Sequence, residues 1–250
     1  MSDSWDFYFA RVNDKIASLF VDLGMREAAP DGDNPWLLWA FVYFHNPRDD
    51  GFPGAEDADS LGSIEDSLGQ AVRDAVGAAL VGRITTDGRR EFYFYGPSSA
   101  GFDAAVARAM AAHPTHRWTA GCEHDPEWRL YLEVLHPSPH DWQRIKNRHV
   151  IEALQKHGDS LEKQRVVMHW AYFDRDSSRE QFVAHLTDRG YTVTSQGRVD
   201  DPNSRFPLSV AFERIDRVDW DSINEATVEL WDLAQSLGGD YDGWETSVER

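Results

Sequence analysis

A single cysteine, Cys122, stands in 250 residues, so no internal disulfide can staple this chain. It has no base close by in sequence, and a buried small hydrophobe is its expected role rather than a nucleophile. No apolar run approaches the roughly 18 residues that a membrane span requires, and the opening MSDSWDFYF lacks the basic-then-apolar order of a signal peptide. A cytoplasmic, reducing location is expected. Basic residues are also scarce: 25 Lys and Arg stand against 43 Asp and Glu, for a formal net charge of −18. Affinity for a phosphate backbone depends on Lys and Arg, so direct nucleic-acid binding is disfavoured, whereas a basic protein partner would be steered in by the same field.

Motifs of catalysis are missing as well. The ten histidines offer no ligand spacing: His113 and His116 are separated by a proline, His136 and His140 straddle two more, and neither HExxH nor a cysteine pair occurs. The aspartates at 49, 50, 57 and 59 do not follow the pattern of a calcium loop. No metal and no cofactor is assigned. No G-x-S-x-G elbow, P-loop or G-x-G-x-x-G follows a strand, so no catalytic residue is assigned either. Trp170, Tyr172 and Phe206 suit stacking on bases, but the basic, glycine-rich surroundings of an RNA-recognition sheet are absent.

What is present reads as α+β. In the C-terminal part, QRVVMHWAYF (164–173) is strand-like, Ser177-Ser178-Arg179-Glu180 offers a capping box, and the helix that follows turns Phe182, Val183 and Leu186 inward. A strand at Tyr191–Ser195 comes next. From Arg205 to Glu213, Phe206, Leu208, Val210 and Phe212 alternate with polar residues. Asp219 caps a helix carrying Ile223, Ala226, Thr227, Leu230, Ala234 and Leu237, and a last strand starts near Tyr241. This is the βαββαβ order of a ferredoxin-like domain.

The first half repeats that order after two additional strands (5–12 and 15–22). WLLWAFVYFH (36–45) is a strand, a helix carries Leu61, Ile64, Leu68, Val72 and Val76, and a hairpin turns at Thr86-Asp87-Gly88. A second helix (102–112) and strands at His116–Cys122 and Glu127–Glu133 complete the set. Ser138-Pro139-His140-Asp141 then opens a helix ended by Gly158. The expectation is two ferredoxin-like domains with mostly antiparallel sheets, 1–137 and 138–250, joined by a helix. The acidic stretch 47–59 is expected to be a solvated loop.

Trp36–His45 and Glu91–Tyr95 are apolar or aromatic in both strand phases, so both faces of that sheet should be covered. Packing within the chain or a homo-oligomer would cover the second face. The alternative is an aromatic pocket around Trp36, Trp39 and Tyr93 that takes a small molecule or substrate. In the terminal GGDYDGWETSV, Asp242-Gly243 reads as a turn or bulge and Trp244 as a core anchor. Asp240 and Asp242 are the candidate partner-facing residues.

VIEAL (150–154), His157-Gly158-Asp159, VVMHWAYF, LTDRGYTV and DYDGWETSV, with Tyr241, Gly243 and Trp244 as the most specific piece, resemble in order and spacing the bacterial regulator of ribonuclease E activity B family over residues 147–250. Upstream, Gly51-Phe52-Pro53, Ile64-Glu65-Asp66-Ser67-Leu68 and VGRITTDGRREFYFYG resemble a bacterial domain of unknown function, family 695. The first resemblance implies a non-enzymatic, acidic protein-binding module that binds ribonuclease E and lowers its activity.

Overall fold

Strands β1 (Trp5–Val12) and β2 (Lys15–Asp22) meet at Asn13-Asp14, both with positive φ (50° and 63°), the two-residue turn whose twist suits a hairpin. The computed structural model to which they belong describes residues 4–201 and 203–249. The chain divides into two units, Met1–Asp141 and Trp142–Arg250. Both are mixed α and β with antiparallel strand pairing. Among the described residues no helix is long and apolar enough to cross a membrane.

In the first unit, β3 (Trp36–Tyr43) is followed by α1 (Ala55–Val76), whose Leu61, Ile64, Leu68, Val72 and Val76 recur at helical spacing and are buried. Strands β4 (Ala79–Thr86) and β5 (Arg89–Gly96) form a second hairpin through Asp87-Gly88, again both at positive φ. Then come α2 (Phe102–Met110) and β6 (Trp118–His124). The sheet order is β1-β2-β4-β5-β3-β6. Leu38, Ala40, Val42, Phe92 and Phe94 lie in one core with the apolar faces of α1 and α2.

Three expectations fail here. Residues Glu127–Glu133 are not a strand: Trp128 has φ 52° and a π-helical turn runs Leu130–Leu135. The segment carries both periods, Leu130, Leu132 and Val134 alternating while Trp128, Tyr131 and Leu135 recur at three and four. Tertiary contacts select the second. Trp128 stacks on Tyr95 (centroids 4.1 Å apart) and its indole donates to the Asn34 carbonyl (3.0 Å), while the Tyr131 hydroxyl donates to the Asp22 carbonyl (2.8 Å). Leu135 comes within 3.1 Å of where a Cβ on Gly82 would stand, so the missing side chain in β4 admits this turn to the sheet face opposite α1 and α2. Second, the acidic stretch is only partly loop, because α1 begins at Ala55 and Asp57 is buried. Third, Cys122 is exposed, lying on β6 at the sheet's edge.

Helix α3 (Pro139–Lys156) starts as its sequence demands: the Asp141 N–H donates to Ser138 Oγ (3.2 Å) and Ser138 Oγ donates to the Asp141 carboxylate (2.6 Å). Beyond it lie β7 (Arg165–Phe173), α4 (Asp176–Asp188), β8 (Thr192–Arg198), β9 (Leu208–Asp216), α5 (Trp220–Ser236) and β10 (Gly239–Thr246). The sheet order is β10-β7-β9-β8. Asp219 caps α5 through the Ser222 N–H (3.1 Å). The expected capping box at Ser177 is not formed, since α4 already begins at Asp176 and no side chain caps it.

The second core gathers Phe173, Phe182, Leu186, Phe212, Leu230 and Tyr241. His169 lies among them, fully buried, stacked on Phe212 and sharing a 2.8 Å hydrogen bond with the Tyr241 hydroxyl. Its Nε2 has no hydrogen-bond partner among the described residues. Burial, with Arg214 adding to it, pushes the imidazole down to about 3. The folded state therefore holds His169 neutral while the unfolded chain protonates it below about pH 6.5. Stability from this group is complete above that pH and falls by about 1.4 kcal/mol per unit as pH drops toward 3. Urea unfolding of the full chain at pH 7 and pH 4.5 checks this: His169→Phe is expected to lose less stability over the interval than the parent. Equal losses would show that His169 does not titrate there.

Candidate functional site

The C-terminal signature is arranged by a bulge. Tyr241 pairs with Ala171 and Gly243 with Trp170, leaving Asp242 as the extra residue of β10. Strict alternation would put Tyr241 and Trp244 on opposite faces; the bulge turns both inward, 1% and 7% exposed. Trp244 packs with Ile151, Leu154, Val167, Val218 and Ile223. Its indole donates to Asn147 Oδ1 (2.8 Å), and Asn147 Nδ2 donates to Asn224 Oδ1 and Thr227 Oγ1 (2.8 and 2.7 Å). Tyr241 and Trp244 thus seat the last strand.

The same bulge leaves Asp242 exposed, and Asp240, opposite Tyr172 on β7, half-buried. With Asp201, Ser204, Phe206 and Val199 they line an open groove of about 390 Å³. Three carboxylates and two aromatic rings therefore converge. Burial raises the Asp240 pKa, with the Asp242 charge adding to the rise, while Lys146 and Arg205 oppose it. An incoming guanidinium or ammonium would relieve this repulsion, and its aliphatic stem would find Tyr172 and Phe206. Arg205 lies over the Phe206 ring (4.9 Å), so one cation already uses this surface.

Trp36, Trp39 and Tyr93 are not brought to one surface. Trp36 packs against the helix-side core and the His124 ring, whereas Trp39, an odd number of residues along β3, lies on the other face opposite Tyr93. Trp39 fills the space above Gly121, where a Cβ would overlap its ring. The Tyr93 hydroxyl is engaged, donating to Glu91 (2.5 Å).

A second cluster escaped sequence reasoning. His45, just after β3, Asp57, in the first turn of α1, and His116, before β6, place their ligand atoms within 4.8 Å of one another. Asp57 Oδ1 is 3.0 Å from His45 Nδ1 and 3.6 Å from His116 Nε2. The hydrogen bond to Asp57 raises the His45 pKa, as does that to the Thr115 carbonyl, while burial lowers that of His116. Burial works against the Asp57 carboxylate, but the N–H groups of His45 and Asn46 and the His45 ring hold it below its ordinary value. Ser60 Oγ lies 3.1 Å from His116 Nε2, the same nitrogen that faces Asp57, so the three do not form a nucleophile relay, in which acid and nucleophile occupy opposite ring nitrogens. Separations of 12 and 59 residues along the chain carry no motif; only the closing of the first unit's sheet gathers the three.

The fold and the groove define a two-unit α+β protein with an acid-rimmed concavity on its C-terminal sheet. Residues 3–136 match the family described as Family of unknown function (DUF695), and the chain, more than half of which that match spans, belongs to it. Residues 144–246 match the family described as Regulator of ribonuclease activity B. These are the families, in the order, that the sequence resembles. Among solved structures, an unknown protein from Galdieria sulphuraria is similar at 12% identity, with 86% of this chain and 99% of that chain covered and a TM-score of 0.25. No curated protein matches.

Proposed function

We propose that the protein is a cytoplasmic, non-enzymatic regulator whose C-terminal unit, a ferredoxin-like βαββαβ domain, binds ribonuclease E or a related RNA-processing enzyme and lowers its activity. The match of residues 144–246 to a regulator of ribonuclease activity carries this reading. The strand order β10-β7-β9-β8, with α4 and α5 as the crossing helices, supports the domain assignment. The order β4-β5-β3-β6 around α1 and α2 supports the same plan for the first unit, with β1 and β2 added at an edge. Asp240 and Asp242 face the partner and receive basic side chains from it. Such rim charges act on association rate and its salt dependence more than on the contact itself.

The test is the rate at which ribonuclease E cleaves a short fluorogenic RNA as this protein is added. Saturable inhibition is expected, with the concentration for half effect raised about tenfold by Asp240→Asn with Asp242→Asn, the equivalent of about 1.4 kcal/mol. Cleavage unchanged up to a tenfold molar excess at physiological salt would rule out this target. Inhibition undiminished in the double variant would move the contact away from the groove.

A further inference from the structure

We propose that His45, Asp57 and His116 form a binding site for a first-row divalent metal ion, with zinc as the representative. Two imidazoles and one carboxylate are the donor set such ions take, and three protein ligands leave a position open to water or to a small anionic or carbonyl ligand.

The spacing fits. Zinc bonds of about 2.0–2.1 Å set the separation of donors in a tetrahedral site at about 3.3 Å. The two measured donor–donor distances, 3.0 Å from Asp57 Oδ1 to His45 Nδ1 and 3.6 Å to His116 Nε2, bracket that value. The third edge, between the two histidines, closes by movement of the His45 ring, whose side chain is 41% exposed. Asp57 beneath it is 2% exposed and His116 9%, so the site has a rigid floor and an open side.

Each donor is also aimed from behind, which is how metal ligands are usually held. The Thr115 carbonyl, which has no hydrogen to give, lies 2.5 Å from His45 Nε2. That nitrogen must donate, so in the neutral ring it is the Nδ1 lone pair that faces Asp57. A lone pair and a carboxylate oxygen 3.0 Å apart repel unless a proton or a metal ion lies between them. The Asp57 carboxylate is fixed by the backbone N–H groups of His45 (3.1 Å) and Asn46 (3.3 Å). His116 Nδ1 faces Thr115 Oγ1 at 3.4 Å, an acceptor for the ring proton when Nε2 gives up its own to hold the ion. Ser60, whose hydroxyl donates to the Asp57 carbonyl (2.9 Å), lies beside the open position. Glu56, next along α1, adds negative charge that His45 feels. A metal here would tie the end of β3, the start of α1 and the approach to β6 together in the first unit.

Calorimetric titration of tag-free, chelator-treated full-length protein with zinc chloride tests the site. One ion per chain is expected. His45→Ala, confirmed as folded by circular dichroism at the titration temperature, is expected to weaken binding by more than the roughly 10–100-fold that loss of an outer-shell partner costs. His116→Ala should do the same, while His113→Ala, whose ring pairs with Ser67, should not. Absence of stoichiometric uptake, uptake unaffected by His45→Ala, or an equal loss in His113→Ala would each overturn the assignment.

Discussion

Replacing Trp244 with alanine is expected to destabilise the C-terminal unit by about 3–5 kcal/mol, the range for removing a buried aromatic side chain. The ring is 7% exposed and closes the cluster formed by Ile151, Leu154, Val167, Val218 and Ile223, which cannot collapse onto the void from three separate elements without moving them. The indole N–H is the second component: among the described residues, Asn147 Oδ1 would keep only the long bond from Gln143 (3.4 Å). Trp244→Phe separates the two, since it retains most of the apolar contact and loses the donor, and should cost about 1–3 kcal/mol for the unsatisfied acceptor and the smaller ring. Urea unfolding of the full chain measures both. A midpoint unchanged in Trp244→Ala would place the residue outside the core and leave the terminal signature without a structural reason.

The role of Trp244 as an anchor, and of Asp242-Gly243 as a bulge, was legible in the sequence because the segment breaks its own alternation at a glycine. Strand β9 was legible for the opposite reason: Leu208, Val210 and Phe212 keep period two without interruption. The Asp219 cap was visible as an acid just ahead of a periodic apolar run. Where two periods coexist, as in WRLYLEVL, local pattern does not decide, and the stacking partner Tyr95, more than 30 residues earlier, does. Cys122 misled because residue type says little about exposure on an edge strand. The groove was half legible: Asp240 and Asp242 are adjacent to the signature, but Asp201 and Phe206 reach them only through the β8–β9 connection. His45, Asp57 and His116 were illegible because each lies at the end of a different element, where no periodicity extends.

Arg165→Met is expected to cost about 3–5 kcal/mol, because it strands a charge that the fold has taken out of water. Asp159 and Arg165 have side chains 0% and 3% exposed and are joined through both guanidinium nitrogens. The carboxylate also accepts the N–H groups of Leu161 and Glu249 (both 2.8 Å), and the guanidinium donates to the Ser247 carbonyl (3.1 Å), so the pair fastens the residues after β10 to the loop that follows α3. This gives the Asp159 of the His157-Gly158-Asp159 motif a structural task. The hydrogen bond from Arg165 holds the Asp159 carboxyl well below the usual carboxylate range despite burial, with the N–H groups of Glu249 and Leu161 adding to it. A carboxyl depressed by folding contributes stability that is complete above its unfolded pKa, about 3.9, and is lost as pH falls below it. The parent should therefore weaken steeply in that acid range, and Asp159→Leu with Arg165→Met, which removes both charges, should weaken less steeply and recover much of the loss seen in the single variant. Arg165→Lys keeps the charge but not the fork and should fall between them. Urea unfolding at pH 7, pH 4.5 and pH 2.5 gives all four comparisons, Asp159 titrating only in the lower interval; a single Arg165→Met variant as stable as the parent at pH 7 would mean that the pair holds nothing, and a double variant with the parent's loss below pH 4.5 would assign that loss to other groups, His169 among them.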